Sequence, residues 1–271
     1  MRQASISFAR CPGVLCTPRP RMIAVLRRAF SSKVAARMEH DVGASIQQVL
    51  DKIQVASQGA REVTLVAVSK TKPSQAVQAA YDAGHRVFGE NYVQEIVDKA
   101  PLLPKDIRWH FVGHLQRNKV RSLLGAVPNL EVVESVDGEK LADKLSAFVL
   151  EEEREPLGVM VQVNTSGEVS KFGVSPGESC IGLARHIHQQ CPGLKLVGLM
   201  TIGMADYSSR PENFTCLVEC RRAVAQDLGL QEADLALSMG MSGDYQAAIA
   251  MGATHVRVGS SIFGARDYSK A

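Results

Sequence analysis

The feature that most constrains this chain is an alternation that repeats eight times. Short apolar runs, most of them containing Val, lie at residues 64–70 (TLVAVSK), 85–91 (HRVFGEN), 109–116 (WHFVGHLQ), 130–137 (LEVVESVD), 158–166 (GVMVQVNTS), 194–202 (LKLVGLMTI), 235–242 (LALSMGMS) and 255–264 (HVRVGSSIFG). Between them the chain carries apolar residues at helical spacing, as in PSQAVQAAYDAG, GEKLADKLSAFVLEEE and PENFTCLVECRRAVAQDLG. Near-continuous apolar strands separated by amphipathic helices predict a parallel sheet covered on its outer side. Eight such units match a closed (β/α)8 barrel better than an open doubly wound sheet. The last run is not followed by a long helical segment, so the amphipathic stretch from Ala35 to Gly59 is expected to fill that gap in the outer ring. No Pro/Gly/Ser-rich linker divides residues 39–271. One domain is expected, since α/β barrels reach roughly 200 to 250 residues as a single unit.

Charge separates the chain into two parts. The formal net charge is +3, yet residues 1–38 hold seven Arg, one Lys and no acid, so the remainder has 23 basic against 28 acidic residues, a net of −5. An acidic body argues against nucleic acid as a partner, because a duplex-binding face needs clustered cations on the folded domain. No stretch approaches the ~18 consecutive apolar residues that suggest a membrane span. The Arg- and Ser-rich, acid-free residues 1–38, with a short basic amphipathic segment MIAVLRRAF, read as an organelle-import presequence, mitochondrion ahead of plastid. The six cysteines, at 11, 16, 180, 191, 216 and 220, form neither a Cys-x-x-Cys pair nor a zinc-ligand block. Cys216 and Cys220, four apart on a predicted helix, read as packed free thiols in a reducing interior.

Polar and glycine residues gather at the C-terminal ends of the apolar runs: Lys70, Glu90 and Asn91, His114, Asn164 to Ser166, Thr201, Ser238 to Ser242, and Gly259 to Ser261. In a (β/α)8 barrel the active site lies at that end, where the βα loops converge. Lys70 would stand at the mouth of the first strand. Such a Lys is either a solvated charge with a packed stem or, if desolvated, a nucleophilic amine able to form an imine with an aldehyde. SMGMSGD (238–244) and RVGSSIFG (257–264) fall where this barrel usually cradles a phosphate, and their small residues let the backbone approach an anion. Neither is a Walker loop or a dinucleotide fingerprint, so a single phosphate monoester is expected. Arg257, two residues before Gly259, is expected to face the barrel interior and to need an acceptor or an acidic partner. His110 and His114 lack the zinc-protease pattern, His186 and His188 read as surface residues, and no metal site is expected.

The words LVAVSKTKP, FGENYVQE, WHFVGHLQ, VQVNTSGEVSKFG, GLMTIG, LALSMGMSGD and VRVGSSIFGARDY, in that order from residue 65 to 268, closely resemble the pyridoxal-phosphate homeostasis family. These are single-domain relatives of the alanine racemase N-terminal barrel, of the fold-type III class. The resemblance implies pyridoxal 5′-phosphate (PLP) as cofactor, with Lys70 holding its aldehyde as a Schiff base. It implies a phosphate held by Ser242, Gly259 and Ser260 with backbone help from Gly243 and Ser261. It places Arg257 at the pyridine nitrogen and Asn91, His114 and Met200 around the ring and its hydroxyl side.

The racemases carry a further C-terminal β domain with a catalytic Tyr, whereas this sequence ends seven residues after Gly264. No second catalytic acid/base is evident, so storage and delivery of PLP to apo-enzymes is expected over turnover, from a monomer. The alternatives are a PLP-dependent amino-acid racemase or lyase, and a phosphosugar-binding barrel with unmodified Lys70.

Overall fold

The computed structural model describes residues 42–59, 62–203 and 211–265. The proposed presequence, with Cys11 and Cys16, lies outside the described residues. The eight strands are β1 (Thr64–Val68), β2 (Val87–Glu90), β3 (Arg108–Phe111), β4 (Leu130–Val136), β5 (Leu157–Gln162), β6 (Leu194–Met200), β7 (Ala236–Met241) and β8 (His255–Val258). They close into one barrel in sequence order, every pairing parallel, with β8 returning to β1. The helices are α1 (residues 42–57), α2 (Ser74–Asp82), α3 (Val93–Lys99), α4 (Val120–Ala126), α5 (Glu139–Glu151), α6 (Glu178–Gln190), α7 (Pro211–Leu228), α8 (Tyr245–Ala250) and the short α9 (Ser260–Phe263).

The period of two along each strand sorts side chains between two cores. In β1, Leu65 and Ala67 join the layer between sheet and helices, with Phe88, Trp109 and Phe111 from β2 and β3. Val66 and Val68 point inside, where an added Cβ on Gly89 would meet both. Burying each such aliphatic side chain contributes about 1.5 to 3 kcal/mol, which is why both faces are apolar. Val132, Met160 and Met200 form a separate cluster inside the barrel. The leading helix α1 offers the stripe Val42, Ile46, Val49 and Ile53 to the outer core, and among the described residues β8 is followed by only the four-residue α9, as expected of the outer ring. Among the described residues no helix is long and apolar enough to cross a membrane.

Candidate functional site

Lys70 follows β1 by two residues on the inward face of the strand and lines a cleft of about 450 Å³ at the barrel mouth. That size suits a small ligand or cofactor. Among the described residues, the charged groups lining it are Lys70, Lys72 and Arg257. Such a cleft attracts anions. Lys72 Nζ also donates to Ala265 O at 2.6 Å, tying the loop after β1 to the segment after α9. Asn91, just past β2, lines the same cleft, and its Oδ1 is buried without a hydrogen-bond partner. A buried acceptor left open in this way is a place for a ligand donor. The end of β3 comes so close behind Asn91 that a Cβ on Gly113 would lie 2.0 Å from Asn91 O, so a side chain there cannot be accommodated.

The opposite wall is built by the ends of β7 and β8. Gly259 N donates to Ser242 Oγ at 3.3 Å, which ties the two loops together. A Cβ on Gly259 would lie 3.1 Å from Val68 O, so the lack of a side chain keeps the backbone accessible from the cleft. Ser260 and Ser261 open α9, where helix geometry leaves N–H groups without intrahelical acceptors. Small residues and open N–H groups on a cationic wall form a cradle for an oxyanion.

The floor of the cleft is Arg257, 5% exposed. Its Nη1 donates to Ser238 Oγ and its Nη2 to Thr201 O, each at 2.7 Å. Ser238 Oγ donates in turn to Glu134 Oε2 at 2.5 Å, and His110 Nδ1 meets Glu134 Oε1 at 2.7 Å. A hydrogen-bonded chain therefore crosses the barrel interior from β8 through β7 and β4 to β3. Burial alone would raise the Glu134 pKa, but the His110 hydrogen bond and charge, with Arg257, outweigh it and hold the carboxyl at about 2. Burial pushes His255, stacked near His110, down to about 4. Burial also lowers the Arg257 pKa, opposed by Glu134, but a guanidinium retains its charge. Glu134 is the acidic partner that Arg257 requires, and the sequence reading did not identify it. Its trace was an acid in a largely apolar strand that also carries Glu131.

Of the residues singled out in the sequence, Lys70, Asn91, Ser242, Arg257, Gly259 and Ser260 share this cleft. Three do not line it. Met200 is fully buried in the interior cluster with Val132 and Met160, because the strand's last residue still lies inside the packed layers. His114 lines a different cavity, where its ring stacks on Phe172 at 3.6 Å and its Nδ1 lies 3.3 Å from Asp137 Oδ2. Gly243 follows Ser242 in an exposed turn. Glu90, grouped by sequence with the mouth residues, faces outward and pairs with Lys99 at 2.9 Å. His186 is not a bare surface residue: it contacts Asp143 Oδ1 at 2.6 Å, with Cys191 nearby, and the three could hold a metal ion. Burial, with Asp143, pushes the Cys191 thiol up to about 11. Cys180, Cys191, Cys216 and Cys220 are free thiols.

A closed parallel barrel with a lysine at the end of β1 and an oxyanion cradle after β7 and β8 defines a class. Residues 44–267 match the alanine racemase N-terminal domain. The alanine racemase from Corynebacterium glutamicum shares this fold at 16% identity, TM-score 0.62, over 84% of this chain and 62% of that one. Within this class the chain belongs to the pyridoxal phosphate homeostasis protein family. Proteins of that name are similar to it in mouse (52% identity, 76% of this chain and 78% of the relative), human (47%, 86% and 89%) and Vibrio cholerae (43%, 83% and 98%). PipY of Synechococcus elongatus, solved with PLP bound, superposes with TM-score 0.66 at 31% identity, covering 82% of this chain and all of PipY.

Proposed function

We propose that this protein binds PLP through Lys70 and takes part in its intracellular supply, sequestering the cofactor and delivering it to apo-enzymes without turning over an amino acid. The observation that carries the reading is the cleft itself: Lys70 at the strand end gathered with Lys72 and Arg257, beside an open Asn91 acceptor on one wall. The relatives named above support the homeostasis role, and PipY supports the ligand. When bound, PLP supplies a reactive aldehyde and an electron-withdrawing ring. Lys70 would hold the cofactor through its aldehyde carbon. Ser242, Gly259 and Ser260 hold the phosphate. Arg257 would face the ring nitrogen, and because a guanidinium keeps its proton it would leave the ring neutral, a weaker electron sink. That suits holding a cofactor better than stripping protons from Cα. Asn91 meets the ring substituents. In this reading residues 1–38 are a mitochondrial import leader, and fusing them to a reporter tests it: a diffuse signal rejects the leader.

Two assays test the proposal. Lys70→Ala should bind PLP about 100-fold more weakly, ~3 kcal/mol, and lose the visible absorption of the imine. Unchanged affinity and spectrum would reject the covalent role. Loaded protein should restore a PLP-dependent apo-enzyme, and a trap for free cofactor separates direct handover from release and rebinding. Exchange of amino-acid Cα hydrogen with solvent deuterium at about 1 per second or faster would instead make it an enzyme.

A further inference from the structure

Behind Lys70, on the helix side of the sheet, lies a second buried charged cluster that the cleft does not use. Lys99, the last residue of α3, is 8% exposed, and its Nζ donates to Glu90 Oε1 at 2.9 Å, Glu95 Oε2 at 2.7 Å and the backbone Ser69 O at 3.0 Å. Ser69 Oγ donates to the same Glu90 oxygen at 2.6 Å. Glu95 Oε2 also accepts from the backbone N of Thr71 at 2.8 Å. The cluster thus grips the residue before Lys70 and the residue after it.

We propose that Lys99, acting through Glu90 and Glu95, is a positioning residue for Lys70 that fixes the adjoining backbone so the amine enters the cleft. The inference rests on the covalent role proposed above.

Three observations carry it. A buried ion pair is a weak device for stability alone, since apolar residues of similar volume do as well, so its value here lies in geometry. Of the three groups that Lys99 binds, one is the peptide carbonyl next to Lys70 and another is the carboxylate holding the amide on its other side. Thr71 has φ +62°, a left-handed conformation that a β-branched residue adopts only when its surroundings hold it there. Glu95 supplies that hold. Ser69 N is pinned as well, donating to Gly89 O at 2.9 Å. With Ser69 and Thr71 both fixed, Lys70 has little backbone freedom, and its amine keeps an approach that a freely pivoting side chain would hold only part of the time.

The test follows capture of PLP by stopped-flow absorbance in wild type, Lys99→Met and Glu95→Ala, then fixes the product with borohydride and measures the fraction of pyridoxyl-Lys70 by mass. Competition with inorganic phosphate reports the anion cradle separately. Capture in both variants should slow about tenfold or more, with a smaller fixed fraction on Lys70. Phosphate affinity should stay within about twofold of wild type. Lys99→Met leaves two carboxylates without their cation and could fail to fold. Glu95→Ala then carries the test, because Glu95 is part-exposed and the Lys99–Glu90 pair survives. Ile187→Val, a core change on the distant α6, serves as a control for stability loss. Variant capture at the wild-type rate, or slowed only as much as in the control, overturns the positioning role. Absence of a Lys70 mark in wild type overturns the covalent reading beneath it.

Discussion

Among the described residues, two of the cavities at the C-terminal end of the barrel invite comparison, and the larger of them makes the poorer site. The cavity bounded by the loops after β3 and β4 is about 590 Å³ and includes His114, Arg117, Asp137 and Lys140. The cleft at β1, β7 and β8 is about 450 Å³. In the first, His114 already has partners in Asp137 and the Phe172 ring, and a carboxylate sits among the cations. In the second, the described lining residues gather Lys70, Lys72 and Arg257 beside a buried open acceptor, and the floor is a guanidinium anchored through Ser238 to Glu134. Anchored polar groups, more than volume, distinguish a binding site from a surface hollow.

The contrast can be broken most forcefully at its anchor. Glu134→Ala leaves Arg257 buried without its counter-charge and should cost about 3 to 5 kcal/mol in urea denaturation. A cost near zero would mean that the interior chain does not support the cleft. Acid should expose the same layer. His255, with its pKa lowered to about 4 in the fold from an ordinary 6.5, is held neutral, so the unfolded chain binds the extra proton as pH falls from 6.5 to 4. Stability should decline by about 3 kcal/mol over that window. Glu134, depressed to about 2, adds a further decline below pH 4.5. Denaturation midpoints against pH should lose the upper part of this slope in His255→Gln.

Smaller effects separate the two cavities themselves. Gly259→Val, placing atoms against Val68 O where the cradle is open, should weaken PLP binding about tenfold, ~1.4 kcal/mol, measured by spectroscopic titration. His114→Ala, in the other cavity, should change PLP affinity by less than about twofold. A larger loss in His114→Ala than in Gly259→Val would reverse the comparison.

Much of this was legible in the sequence, for reasons of period and chemistry. Parallel strands buried on both faces must be apolar nearly throughout, so eight short apolar runs announced the barrel. The lysine after LVAVS and the small residues after β7 and β8 fell at strand ends, where inward direction follows from counting by twos. Grouping neighbours at a strand end, without counting, misplaced some residues. Glu90 and Asn91 are neighbours, yet Asn91 lines the cleft while Glu90 turns outward to Lys99. Met200 ends its strand inside the packed interior, and the register shift between β5 and β6 is not visible in a linear pattern. Glu134 was hidden for another reason: its partner Ser238 is 104 residues away, and only barrel closure brings them together.

The central claim is that Lys70 captures the cofactor in the cleft at β1, β7 and β8. Borohydride reduction of PLP-loaded protein, followed by peptide mass mapping, tests it directly. The account expects one pyridoxyl mark, on Lys70, suppressed by inorganic phosphate in proportion to its occupancy of the cradle. A mark on another lysine, or tightly bound PLP with no mark at all, would contradict it.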